Sequence, residues 1–246
     1  MRLAKRYCIP VTAALFLAAG CLVGGCSAQG RLESGSRELH LEETLEYYLY
    51  YPPGYDRSTE YYGILLFLHG GGESGRNLEV LREYGPPKML EDGTEFPFLI
   101  LAPQNPYEKQ WWNVRAVKQL LDAVVEANRI DPDRIYLTGL SRGGSASWEM
   151  AVQYPETFAA LVVVCGMAPV PYASWIDKNL PIRVFHGTED PVIPFSESRD
   201  MVEALQALGY NAELTPYEGV GHNAWDRAYN TPGLFEWIAA QSRAGH

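Results

Sequence analysis

The chain has 246 residues, 47% of them hydrophobic and 20% charged, with a formal net charge of −10. This length and composition suit one large folded domain and exclude a disordered or collagen-like chain. The acidic balance argues against nucleic acid as a partner.

The chain opens with Arg2, Lys5 and Arg6. An apolar run from Cys8 to about Val23 follows, interrupted by Pro10, Thr12 and Gly20, and then small residues. A basic start, a short apolar run and small residues make a secretion signal, which is set apart from the fold. Its end, Val23-Gly24-Gly25-Cys26, resembles a bacterial lipobox, in which the cysteine is acylated and becomes the mature N-terminus. Ala18-Ala19-Gly20-Cys21 is a looser match. Cys26 is preferred because a branched apolar residue precedes it by three positions and the polar stretch Ser27–Ser36 follows. The expectation is a signal peptide over 1–25, a polar tether over 26–37 and a single catalytic domain over 38–246. The protein would then be exported and held at a membrane surface by lipid. Removing residues 1–25 takes away three basic residues and no acidic ones, so the mature charge falls to −13 and attachment depends on the lipid. Apart from the lipidated cysteine, only Cys165 remains, so the core must supply stability without a disulfide.

Strands and helices alternate after the tether. Leu45, Tyr47, Leu49 and Tyr51 alternate as in a half-buried strand, which Pro52-Pro53-Gly54 ends. Continuous apolar runs at Ile64–Leu68, Phe98–Ala102, Ile135–Leu137, Leu161–Cys165 and Ile182–Phe185 suit strands covered on both faces, as in a parallel sheet. Ala212–Tyr217 is a weaker final strand. Between them, Val117, Leu120, Leu121, Val124 and Val125 share a helical face, residues 144–153 form a short helix, and Met201, Leu205 and Leu208 mark another. Leu234, Trp237 and Ile238 suggest a closing helix. Repeated strand–helix–strand units give a largely parallel sheet with helices on both sides. In such sheets chemistry collects at the carboxyl ends of the strands.

Gly139-Leu140-Ser141-Arg142-Gly143 matches G-x-S-x-G in the context that gives the pattern meaning, with a strand before it and a helix after. A serine hydroxyl needs a base. Of the five histidines, His40 precedes the sheet and His246 ends the chain. His69 and His186 each end a strand before a glycine, a place where a side chain organises backbone. His222 remains, on a loop between the last strand and the last helix. The acid that fixes its tautomer is expected just past a strand end, at Asp190, with Glu189 as rival. The oxyanion of a tetrahedral intermediate needs donors: the backbone N–H of Arg142 and, from His69-Gly70-Gly71-Gly72, that of Gly71, with Gly70 and Gly72 as rivals.

The segments HGGGESG, FLILAPQ, WWN, DPDRIYLTGLSRGG, YPETFAALVVVCG, FHGTEDPVIP and GHNAW together resemble the esterases grouped around feruloyl esterases, acetyl xylan esterases and polyhydroxybutyrate depolymerases, with phospholipase/carboxylesterase and dienelactone-hydrolase-like proteins nearby. The likeness runs from about Tyr47 to Arg243 and implies an α/β-hydrolase fold, a Ser141–Asp190–His222 triad and ester hydrolysis. Dienelactone hydrolases proper use a cysteine where this chain has Ser141. Arg142 departs from the methionine common in the family; its side chain could meet a substrate carboxylate or pair with an acidic neighbour. The span Gly166–Pro181 is too short for a folded lid, so an open site for short acyl groups or carbohydrate-linked esters is expected. Trp111, Trp112 and Trp225 lie near the site residues. Trp112 and Trp225 are candidates to stack on a sugar or ferulate ring, core packing being the alternative. No Cys or His pair has metal-ligand spacing, and hydrolysis by water requires no cofactor. Two other readings are a serine peptidase of the prolyl oligopeptidase type and a non-catalytic hydrolase fold that binds at the surface.

Overall fold

A computed structural model of the protein describes residues 43–245. The expected signal segment, Cys26, the tether 26–37 and the first residues of the expected catalytic domain lie outside the described residues. Among the described residues, seven strands form one sheet: β1 (Tyr47–Tyr50), β2 (Tyr62–Leu68), β3 (Leu99–Pro103), β4 (Ile130–Leu140), β5 (Ala160–Val164), β6 (Ile182–Gly187) and β7 (Ala212–Tyr217). Their order is β1-β3-β2-β4-β5-β6-β7, with β1 antiparallel to β3 and the others parallel to their neighbours.

The described residues also form six α-helices: α1 (Gly85–Glu91), α2 (Val114–Ala127), α3 (Arg142–Gln153), α4 (Phe195–Ala207), α5 (Trp225–Tyr229) and α6 (Leu234–Ala239). Successive residues of a strand face opposite sides of the sheet. Ile64, Leu66 and Leu68 of β2 therefore join α2, α3 and α4 in one core, through Val117, Leu121, Trp148, Met201 and Leu205. Leu65 and Phe67 join the other core, with Phe96, Phe98, Tyr229, Leu234 and Ile238. Burying one such side chain is worth about 2 kcal/mol over leaving it in water. Two-sided burial is why the central strands read as unbroken apolar runs. The edge strand β7 alternates in burial and carries Pro216, which an edge tolerates.

The elements differ from the sequence expectation chiefly in three places, and the short α5 was also not expected. β4 begins at Ile130, which pairs with Tyr62, and a register shift carries the chain over Asp131–Arg134 before Ile135 pairs with Ile64. The helix after Ser141 starts at once rather than at 144. α1 was not expected: it opens with Gly-Pro-Pro, and prolines in a first turn cost no intrahelical bond but hide the helical period. The segment 166–181 holds a short 3₁₀ turn at Val170–Ser174 and no inserted domain.

Candidate active site

The carboxyl ends of β2, β4, β5 and β6 converge, and the site is assembled there. β4 passes into α3 through Ser141, whose φ of 53° and ψ of −119° are rare for a residue with a Cβ. The turn is held because Ser141 N–H donates to Val164 O at 2.8 Å and its carbonyl accepts Ser145 N–H at 3.0 Å. Gly143 is required by contact: a Cβ there would lie 2.0 Å from Leu68 O and 2.5 Å from His69 O. This lets the start of α3 press against the end of β2, beside the glycine run. The turn thereby presents the Ser141 hydroxyl above the sheet.

Ser141 Oγ lies 2.8 Å from His222 Nε2, and His222 Nδ1 lies 2.6 Å from Asp190 Oδ2. The Asp190 side chain is fully buried and that of His222 is 18% exposed. A carboxylate only accepts, so Nδ1 carries the hydrogen and Nε2 is left to accept the serine O–H. Burial alone would raise the Asp190 carboxyl. The His222 bond and the N–H groups of Ile193 and Val192 outweigh it and hold the group below its ordinary value. Asp190, not the exposed Glu189, is thus brought to His222. The His222 loop is packed onto the end of β6 because Gly187 has no side chain: a Cβ would lie 2.2 Å from Val220 O and 2.4 Å from Gly221 O.

His69, at the end of β2, is buried and organises the glycine loop. Its Nδ1–H donates to Gly70 O at 2.6 Å and its Nε2 accepts Asn105 N–H at 2.9 Å. Burial is the main cause that lowers its pKa from 6.5 to about 4, so the ring is neutral. The Arg142 guanidinium lies over Gly71, where a Cβ would come within 2.9 Å of Nη2. Its Nη1 donates to Ser74 Oγ and to the carbonyls of Glu108 and Gln110, none of them a carboxylate. That side chain fastens the glycine loop to the 108–110 segment. Arg142 N–H heads α3 and, like any first-turn donor, lacks an intrahelical acceptor. Glu73, which the sequence did not single out, is buried beneath Gly70 with Oε2 unpartnered, and burial raises its carboxyl.

A cavity of about 480 Å³ opens beside the first turns of α3, bordered by Trp111, Trp112, Ser145 and the 167–172 segment. Glu149, Glu197 and Asp200 also border it. Of the two tryptophan candidates, Trp112 borders the cavity while packed into the core, and Trp225 lies beside His222. Trp112 is only 5% exposed, because its ring rests on His69 at 4.6 Å and its indole N–H donates to His69 O. Trp111 is the exposed neighbour at 59%. Trp225 packs edge-on against His222 at 5.4 Å and against Tyr84, forming a side wall for the imidazole. A second residue missed in sequence is His186, whose Nε2 lies 3.1 Å from Asp190 Oδ2. Folding also brings donor atoms of Cys165, His186 and Asp190 within 4.8 Å of one another, a juxtaposition that spacing in sequence does not show.

The sheet order, the strand directions and a serine at the strand-to-helix turn define an α/β-hydrolase. Residues 100–231 match the model of the family described as Phospholipase/Carboxylesterase. The chain belongs to that family and is a carboxylesterase-type hydrolase. It is 28% identical to a protein of Oryza sativa subsp. japonica named a probable carboxylesterase, over 67% of this chain and 83% of the relative. It is 30% identical to one of Aspergillus terreus named "Probable feruloyl esterase C", over 72% of this chain and 65% of the relative. The crystal structure of a thermostable esterase superposes with a TM-score of 0.70 at 30% identity, covering 81% of this chain and 60% of that one.

Proposed function

We propose that the protein hydrolyses carboxylic esters through an acyl-enzyme on Ser141, acting on short acyl groups or esters carried by carbohydrate. The observation that carries this reading is the continuous chain Ser141–His222–Asp190, with bonds of 2.8 and 2.6 Å. Ser141 Oγ attacks the ester carbonyl carbon while His222 Nε2 takes the hydroxyl proton. The oxyanion is held by the N–H groups of Arg142 and Gly71. His222, now imidazolium beside ionised Asp190, gives its proton to the departing alcohol oxygen as the C–O bond breaks. Water then attacks the acyl carbon, again losing its proton to His222, and releases the carboxylic acid and free Ser141. These steps draw on side chains, backbone N–H groups and water alone.

The substrate class rests on the missing lid and on the cavity. With only a short 3₁₀ turn between β5 and β6, nothing in that span encloses a long chain. Trp111 offers an exposed aromatic face, and Glu149, Glu197 and Asp200 offer acceptors for sugar hydroxyls. The A. terreus relative named as a feruloyl esterase supports the same direction. The test is a panel of acetylated xylan, methyl ferulate, nitrophenyl acetate, a long-chain nitrophenyl ester and a peptide amide. The reading expects acetate and carbohydrate esters to lead. Greater activity on the long-chain ester, or on the amide, would overturn the substrate assignment. Export and lipidation at Cys26 belong to the same proposal, supported by the basic start, the apolar run and Val23-Gly24-Gly25-Cys26. Cys26→Ala should move the protein from the membrane fraction to the soluble one; unchanged partition would contradict the anchor.

A further inference from the structure

The next-to-last residue of β6 is His186, whose imidazole is sealed from solvent. Its two nitrogens have different company. Nδ1 lies 2.7 Å from Ser198 Oγ on α4, and Nε2 lies 2.9 Å from Ile193 O and 3.1 Å from Asp190 Oδ2. A carbonyl oxygen only accepts, so Nε2 carries a hydrogen, and that N–H is shared between Ile193 O and Asp190 Oδ2. Nδ1 is then free to accept the Ser198 hydroxyl.

Asp190 therefore receives four donors. Val192 and Ile193 N–H reach Oδ1 at 2.8 and 2.9 Å, and His186 and His222 reach Oδ2. The two backbone donors hold the oxygen remote from His222. Of the donors on Oδ2, only His186 is anchored in the interior, since His222 sits on a loop and moves protons during turnover. Cys165, just past the end of β5, is the third titratable group facing this pair. Burial pushes its thiol up to about 12, so it adds no charge there.

We propose that His186 is a positioning residue for the hydrolytic reaction: its Nε2–H pins Oδ2 of Asp190 toward His222, so the carboxylate is oriented before substrate binds. The proposal rests on the triad reading above. It makes α4 part of the catalytic scaffold, because Ser198 fixes the tilt of the His186 ring. The physical benefit is preorganisation: a carboxylate held in place by fixed donors need not reorient when His222 becomes positive.

The test uses the full chain with a short nitrophenyl ester. His186→Met removes all three polar contacts of the ring at similar bulk. His186→Gln keeps them, its amide nitrogen donating to Ile193 O and Asp190 while its amide oxygen accepts from Ser198. For His186→Met we expect kcat to fall about 10- to 100-fold, the scale of a displaced catalytic group, with KM little changed. The downfield proton NMR signal of the His222–Asp190 bond should be lost. His186→Gln should restore both. In an Asp190→Asn background the His186→Met penalty should vanish, because the residue acts through that carboxylate. A His186→Met enzyme with normal kcat and an intact downfield signal would refute the proposal, as would a penalty that persists beside Asp190→Asn. Should His186→Met fail to fold, Ser198→Ala takes its place. It should lower kcat and broaden the same signal, and an unchanged signal would count against the idea. If Asp190→Asn alone costs nothing, the triad reading fails instead, which separates the two claims.

Discussion

Replacing Gly143 with alanine would drive a methyl group into the backbone of β2. The new carbon would stand 2.0 Å from Leu68 O, 2.4 Å from Leu68 C and 2.5 Å from His69 O, where ordinary contact begins near 3.4 Å. Neither partner is a flexible side chain. Relief requires α3 to move from the end of β2 by about 1.4 Å at that contact. Overpacking of this kind costs about 1–3 kcal/mol. For a chain of this size that lowers Tm by roughly 2–12 °C. The same shift separates the Arg142 N–H from the glycine loop, and a displacement near 1 Å costs about 10²-fold in rate. The assay is kcat/KM on nitrophenyl acetate beside a thermal melt. Gly72→Ala is the control, since nothing lies within 4 Å of its added carbon. It should keep kcat/KM within about twofold. If Gly143→Ala matches wild type in both measurements, the close approach of α3 to β2 is not what builds the site.

Asp190→Asn should lower kcat by about 10⁴-fold with the melt little changed, because the amide no longer fixes the His222 tautomer; a loss under tenfold would contradict that role. His69 predicts a pH dependence of stability. Its pKa falls from 6.5 to about 4 on folding, chiefly through burial. Above pH 6.5 both states are neutral and the full stability is present; as pH falls toward 4 the unfolded chain takes up a proton that the folded one refuses. Roughly 3 kcal/mol is lost across that window. Urea unfolding at pH 7 and 4.5 checks it. The slope should shrink in His69→Asn, and a slope equal to wild type would place the acid sensitivity elsewhere.

Much of this was legible in the sequence because local and global signals agree. Two-sided burial wrote the central strands as apolar runs. The elbow glycines stand where backbone contact forbids a side chain, and Ser141, Asp190 and His222 follow strand ends in chain order. What was hidden depends on contacts between distant segments. Trp112 and Trp111 are adjacent, and nothing in their spacing says that the first spends its N–H on His69 while the second faces solvent. His186 reads as a turn residue until Asp190 and Ser198 are seen on either side of its ring. The role of Arg142 was equally closed, since its three acceptors come from two loops remote in sequence. α1 was masked by its own prolines.

The central claim is that Ser141 is a nucleophile activated by His222. A fluorophosphonate probe reacts with such a serine and not with an ordinary hydroxyl. Intact mass and peptide mapping after labelling should show one adduct, on Ser141, absent from folded Ser141→Ala and strongly slowed in His222→Ala. A folded wild-type protein that takes no label, or takes it on another residue, would contradict the account.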